Sequence, residues 1–203
     1  MNRGNNKSVP RIGYQGERGA FSELAALRLH PADAVLVPCP DFASLFVAFT
    51  AKDVDLVVLP VENAIAGKVL PVCGWIETHP HKTLTQIDLP IVQSLIVVFG
   101  ARIDELRTAE SHPVALAQCR RFFEEHSHIA PVEANDTAAS VRRIMEAGDK
   151  HRAAVASEHA AQVYGAQVLI ENIADRADNW TRFVLLSHRS TNGRHPQSSG
   201  GRP

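Results

Sequence analysis

The stretch Asp178-Asn179-Trp180-Thr181-Arg182-Phe183-Val184-Leu185-Leu186 brings an amide, a hydroxyl and a guanidinium to the start of an apolar run. Val184, Leu185 and Leu186 read as a buried strand, so the polar side chains stand at its rim. Strand alternation places Asn179, Thr181 and Phe183 on one face and Trp180 and Arg182 on the other. Taken alone, such a stretch suits the beginning of any half-exposed strand. Its weight comes from the segments that precede it.

Upstream, strands and helices alternate. Ile12, Gly13 and Tyr14 lead into Gln15-Gly16-Glu17-Arg18-Gly19, after which Phe21, Leu24, Ala25 and Leu29 follow helical spacing, with Ser22 and Glu23 in the first turn. The glycines suit either a tight turn or backbone N–H groups presented to an anion. A short apolar run at 35–37, a helix over 41–51 capped by Asp41 and a buried strand over 56–61 follow. A helix is expected over 69–78 and a long, mostly apolar strand over 90–99. The pattern then repeats, with strands over 108–111, 130–134, 153–157 and 168–173 and helices over 113–126, 136–147 and 158–164.

Alternation of this kind predicts parallel sheets covered on both faces. Two successive units predict an α/β protein of two lobes with a cleft, the first over 10–90 and the second over 91–173, with part of 174–187 returning near the hinge. Residues 1–9, polar with Gly and Asn, and 188–203, rich in Ser, Gly, Pro and Arg, are expected to be mobile tails.

At 203 residues, 45% hydrophobic and 21% charged, the chain suffices for one large domain or two small lobes. Its 21 Lys and Arg are balanced by 22 Asp and Glu without a long run of either sign, which excludes the basic footprint of a nucleic-acid binder. No apolar run reaches the roughly 18 residues that a membrane span needs. The polar first ten residues do not resemble a signal peptide, and a cytoplasmic location is expected. Cys39, Cys73 and Cys119 lack C-x-x-C spacing and are expected to be reduced thiols. His79 with His81, and His126 with His128, lie two apart without a carboxylate companion, so no metal is expected.

Three corners carry candidate chemistry. The strand over 56–61 runs into Glu62-Asn63-Ala64-Ile65-Ala66-Gly67-Lys68, and in open α/β sheets ligands sit beyond the carboxyl ends of strands. Glu62 and Asn63 are therefore candidates, a capped turn being the plain alternative. Ser111-His112-Pro113 closes a strand and opens a helix, with Pro113 suited to its first position and Gln118 following at helical spacing. Asn135-Asp136-Thr137-Ala138-Ala139-Ser140 does the same, leaving N–H groups and a hydroxyl at the positive end of a helix. Two such helix starts facing one cleft suit a substrate with more than one carboxylate. Ser111 and His112 are neighbours in sequence, an arrangement that rarely pairs nucleophile and base, and no G-x-S-x-G elbow is present.

Together, Tyr14 to Ser22, Pro60-Val61-Glu62-Asn63, Ser111-His112-Pro113 with Ala117-Gln118-Cys119, Asp136-Thr137-Ala138-Ala139 and Asn179-Trp180-Thr181-Arg182-Phe183 resemble the catalytic domain of prephenate dehydratase. The five motifs fall in the family's order across nearly the whole body. The resemblance implies two α/β lobes like those of type II periplasmic solute-binding proteins, with the site in the cleft. It also implies a reaction without cofactor: prephenate loses carbon dioxide and its ring hydroxyl to give phenylpyruvate, the precursor of phenylalanine. By the family pattern Thr181 matches the donor to the departing hydroxyl, while Asn63, Ser111 and Gln118 match polar residues of the site. Thr137 and the N–H groups of Ala138 and Ala139 are expected to bind a carboxylate. Arg182 is a carboxylate partner or a brace for the Thr181 strand, and Glu62, Lys68 and Phe183 complete the expected substrate contacts.

The sequence departs from the family in places. Ala64 stands where Ser or Thr is usual, Lys68 where a small polar residue is common, and Thr85-Gln86 and Gln93 where Gly-Glu and His are frequent. No C-terminal ACT domain and no fused chorismate mutase are expected, hence an enzyme without that feedback module. A decarboxylase that spares the ring hydroxyl, a non-catalytic binder of prephenate or an aromatic acid, and arogenate as substrate are the competing readings. A homodimer is expected from the habit of relatives.

Overall fold

The computed structural model describes residues 9–30 and 33–189, and its strands form two sheets. The first half of the chain supplies β1 (Arg11–Gln15), α1 (Phe21–Leu29), β2 (Val35–Cys39), α2 (Phe42–Thr50), β3 (Leu56–Asn63), β4 (Gly67–Lys68), α3 (Leu70–Thr78) and β5 (His81–Pro90). These strands, joined by β11 (Trp180–His188), make a sheet of order β2-β1-β3-β11-β5, with β4 paired beside β3.

The second lobe contains β6 (Ser94–Val97), β7 (Thr108–Ser111), α4 (Pro113–Ala117), α5 (Arg120–Glu125), β8 (Ala130–Glu133), α6 (Thr137–Ala147), β9 (Arg152–Ala156), α7 (Glu158–Tyr164) and β10 (Gln167–Ile170). Its sheet order is β10-β6-β9-β7-β8. The chain thus crosses between lobes twice, at 91–93 and 171–179. The crossings are tied side by side, Ile91 N–H donating to Asn179 O at 3.0 Å and Ile173 N–H to Gln93 O at 2.8 Å. Most of 1–9 and 188–203 lies outside the described residues.

Each sheet is covered on both faces by apolar clusters. Leu45, Phe49, Leu59, Trp75 and Leu186 pack beneath α2 and α3, and Ile12, Ala25, Val58, Leu89, Phe183 and Leu185 pack beneath α1. In the second lobe Leu95, Val97, Leu106, Phe122 and Val155 fill one side, and Ile96, Val141, Ile144 and Ala160 the other. Burying a side chain of this size contributes about 1.5–3 kcal/mol. Helix starts are set by Asp41, Asp136 and Ser157, whose side chains accept from Ser44, Ala139 and Ala160 N–H groups. Each such cap adds about 1 kcal/mol.

The sheets are mixed rather than parallel. β2, β1 and β3 run parallel, but β11 is antiparallel to both β3 and β5 because it enters the sheet on its return from the other lobe. In the second sheet β8, β7 and β9 are parallel while β6 and β10 oppose their neighbours. The strand expected over 90–99 is split: Pro90 ends β5, residues 91–93 cross, and β6 begins at Ser94. The helix expected over 113–126 is also split, since the Asp175 carboxylate accepts from the N–H groups of Arg120 and Arg121 and starts a new helix after Cys119. β5 itself escaped the periodicity because it is an edge strand, with Lys82, Thr83, Leu84, Thr85 and Gln86 exposed. Polar edges of this kind resist pairing with other chains.

Candidate active site

Thr181 opens β11 beside the end of β3, directly opposite Asn63. Its side chain is 8% exposed and its Oγ1 accepts from Asn63 Nδ2 at 2.9 Å. Two backbone donors, Ile65 N–H at 3.0 Å and Ala66 N–H at 2.9 Å, both point to Asn63 Oδ1. They fix the amide so that its NH₂ must face Thr181, with Trp180 O and Asn179 Oδ1 as further acceptors at 3.0 and 2.9 Å. The turn anticipated at Asn63 is present, and the same side chain holds Thr181. The Thr181 oxygen is thus an acceptor, and among the described residues its own hydrogen has no protein acceptor. Asn179 continues the chain of amides to Gln118, donating to Oε1 at 3.4 Å across the junction of the lobes.

The alternation read from the sequence holds: Asn63, Thr181 and Leu89 lie on the α1 side, whereas Glu62, Lys68, Asp88 and Arg182 occupy paired positions on the opposite face. Arg182, expected as a carboxylate partner or a brace, is engaged by carboxylates of its own sheet as placed. Asp88 takes it bidentately, Nε at 2.7 Å and Nη2 at 2.9 Å; Glu62 adds Nη1 at 3.4 Å, and Trp180 lies under the guanidinium at 5.2 Å. This interaction strengthens the register of the three strands that present Thr181. Glu62 is correspondingly committed to Arg182, and Lys68 is exposed opposite it, away from the hydroxyl.

Phe183, expected to contact substrate, is 2% exposed and belongs to the core under α1. Phe183→Leu should therefore lower stability by about 1–2 kcal/mol in urea titration while leaving KM unchanged.

In the second lobe, Ser111 is fully buried and its hydroxyl donates to Val155 O, tying β7 to β9 beneath the surface. His112 Nδ1 accepts from Val114 N–H and caps α4. Ala139 N–H is consumed by Asp136 Oδ1 at 2.8 Å and Ala138 is fully buried, so neither provides the expected carboxylate contact as placed. Thr137, half-buried at the first position of α6, keeps its hydroxyl there. Cys119 follows Gln118 but is fully buried, and desolvation, aided by the Asp175 charge, pushes its thiol up to about 12.

The glycine loop packs against the other lobe, a role beyond the turn or anion site that its sequence offered. Gly16 and Gly19 adopt φ of 104° and 87°, and a Cβ on Gly19 would stand 2.9 Å from Ala160 Cα in α7. Glu17 pairs with Arg142 of α6 at 2.8 Å, and Ser157 Oγ donates to Gly19 O at 3.2 Å. Behind the loop, Glu23 is 6% exposed and accepts from Tyr14 Oη at 3.0 Å, Gly19 N–H at 2.7 Å and His159 Nε2 at 3.0 Å. Burial raises the Glu23 carboxyl, but bonds from His159, Gly19 and Tyr14 outweigh it and hold it below its usual range. A cavity of about 240 Å³ between α1 and α7 adjoins this cluster through Phe21 and His159 and does not include Thr181. Sequence reading assigned no role to Glu23, His159 or Asn179. The charged Glu23 beside the apolar positions of α1 was the available signal.

The family model of prephenate dehydratase matches residues 12–191. The chain belongs to the prephenate dehydratase family. Among curated relatives it is 36% identical over 182 residues to arogenate dehydratase/prephenate dehydratase 2, chloroplastic, of Arabidopsis thaliana, covering 90% of this chain and 47% of that one. Arogenate dehydratase 1 of Petunia hybrida is 36% identical over 181 residues, covering 89% and 42%. The chain thus spans less than half the length of these dehydratases. Among solved structures, the prephenate dehydratase of Arthrobacter aurescens in complex with L-Phe superposes with a TM-score of 0.80 at 28% identity, covering 89% of this chain and 61% of that one. A structure described as a quorum quenching acylase gives 0.78 at 31% identity, covering 89% and 64%.

Proposed function

We propose that this chain carries the dehydratase reaction on prephenate: loss of carbon dioxide and the ring hydroxyl to give phenylpyruvate. Decarboxylation pushes an electron pair into the ring, aromatisation supplies the driving force, and the oxygen must leave with a proton. The observation that carries this reading is Thr181, whose oxygen accepts from Asn63 and whose hydrogen remains to be given. A donor set by a fixed amide needs no reorganisation as charge develops on the leaving oxygen. Gln118 and Thr137 are the groups best placed to receive substrate oxygens, with the start of α6 adding a favourable dipole.

Arogenate is the second reading, supported by the relatives named arogenate dehydratase. It differs from prephenate in the side chain and undergoes the same departure from the ring. Acyl transfer is less well supported: Ser111 is buried and tied to Val155, and a thiol with the raised pKa of Cys119 is a poor nucleophile at neutral pH.

Purified protein incubated separately with prephenate and with arogenate, with products followed by proton spectra and mass, tests this reading. Phenylpyruvate from the first supports the proposal, and phenylalanine from the second alone transfers it to arogenate. A product that has lost carbon dioxide but keeps the ring oxygen identifies a decarboxylase. Turnover of neither rejects the dehydratase reading.

A further inference from the structure

Thr181 is held by Asn63, and Asn63 is held by a residue to which the family reading gives no task. Asn179 is 4% exposed and stands between the lobes, Oδ1 accepting from Asn63 Nδ2 at 2.9 Å and Nδ2 donating to Gln118 Oε1 at 3.4 Å. Its main chain is fixed independently, the carbonyl accepting from Ile91 N–H at 3.0 Å in the other crossing. The side chain is therefore the part that joins the two halves of the site.

An amide has one accepting end and one donating end, so fixing one member of a chain orders the others. Ile65 and Ala66 N–H groups demand the oxygen of Asn63. The NH₂ of Asn63 then faces Asn179, which answers with Oδ1; the NH₂ of Asn179 faces Gln118, which answers with Oε1. Gln118 Nε2 is the end of the chain, with no protein partner among the described residues.

We infer that Asn179 is a positioning residue that carries this order from the Asn63 turn across the junction. Gln118 thereby meets substrate as a donor to a carboxylate or carbonyl oxygen while Asn63 keeps hold of Thr181. The role of the substrate rests on the dehydratase reading; the amide order does not.

Asn179→Asp separates the two ends. It keeps an acceptor for Asn63 but has nothing to donate at neutral pH, so Gln118 must turn over and present Oε1 to the substrate. KM for whichever of prephenate or arogenate is used should rise about 10-fold, the loss of one good hydrogen bond, with a much smaller change in kcat. It should recover as pH falls through the new carboxyl's pKa, because the protonated acid can donate again. A purely structural role would produce no such limb. Side-chain amide ¹⁵N–¹H spectra read the order without turnover: the Asn63 and Gln118 signals should shift together in Asn179→Asp, and Gln162, bonded to Glu158, should not.

Coupled shifts in a protein that turns over neither substrate would uphold the amide order and reject the dehydratase reading. Wild-type KM and unshifted signals would overturn the inference. Should Asn179→Asp lose the native fold, Gln118→Glu decides. It retains the acceptor for Asn179 and removes the donors, so a raised KM with an unshifted Asn63 signal supports the inference and an unchanged KM overturns it.

Discussion

Replacing Thr181 with valine is expected to lower kcat for dehydration by about 10²–10⁴-fold, the usual contribution of a positioned proton donor. Valine keeps the branched shape at a site that is 8% exposed, so packing is conserved. Asn63 Nδ2 loses one acceptor but retains Asn179 Oδ1 and Trp180 O, so the Asn63 turn should survive and the melting temperature should change little. Thr181→Ser restores the hydroxyl and should stay within about 10-fold of wild type, its loss reflecting the freer χ1 of serine. The same pair separates the chemical alternatives. Loss of carbon dioxide without departure of the ring oxygen needs no donor at this position, so a decarboxylase would be nearly indifferent to Thr181→Val. Single-turnover measurement of kcat for both variants, with product identification, is the check.

How far the sequence carried this site depends on how local each piece of chemistry is. The faces of Asn179 to Phe183 follow from a period of two, and the caps at Asp41 and Asp136 follow from residue type just before an apolar helical pattern. Both kinds of signal lie within a few residues, and both match the structure. The direction of β11 is not local. Nothing in Trp180 to His188 sets its direction against β3 and β5, and so the mixed sheet was missed.

Arg182 shows the same limit in side-chain terms. Its facing was readable, but Asp88 lies far away in the chain within an edge strand whose polar pattern hid it. Ser111 and Ala139 were readable as corner residues, yet their hydrogen bonds to Val155 and Asp136 absorb the groups that the pattern offered to a ligand. The glycine loop illustrates the reverse. A weak local signal for an anion proved to be a steric requirement for close approach of the other lobe.

That approach makes Glu23→Ala the variant with the largest expected effect on stability, a loss of about 3 kcal/mol or more at neutral pH. The change leaves buried Tyr14 Oη and Gly19 N–H without their acceptor, each such group costing about 1–3 kcal/mol, and removes the contact to His159 in the other lobe. Glu23→Gln keeps the size and one acceptor but turns an NH₂ toward a donor, so it should fall between alanine and wild type.

The pH dependence has a definite sign. In the folded protein the carboxyl lies below its ordinary value of 4.5, because three hydrogen bonds to the ionised form outweigh burial. The folded state therefore releases this proton more readily than the unfolded chain. Its contribution is fully present above the ordinary value and is lost as pH falls through the lowered one. Urea midpoints of wild type and Glu23→Gln should accordingly differ most near neutrality and converge in the acid range below 4.5. A gap that stays constant with acidification would mean that Glu23 is held as the neutral acid, and its bonds to Tyr14, Gly19 and His159 would have to be reassigned. Because the bond to His159 joins α1 to α7, the same titration reports on the acid stability of that contact between the lobes.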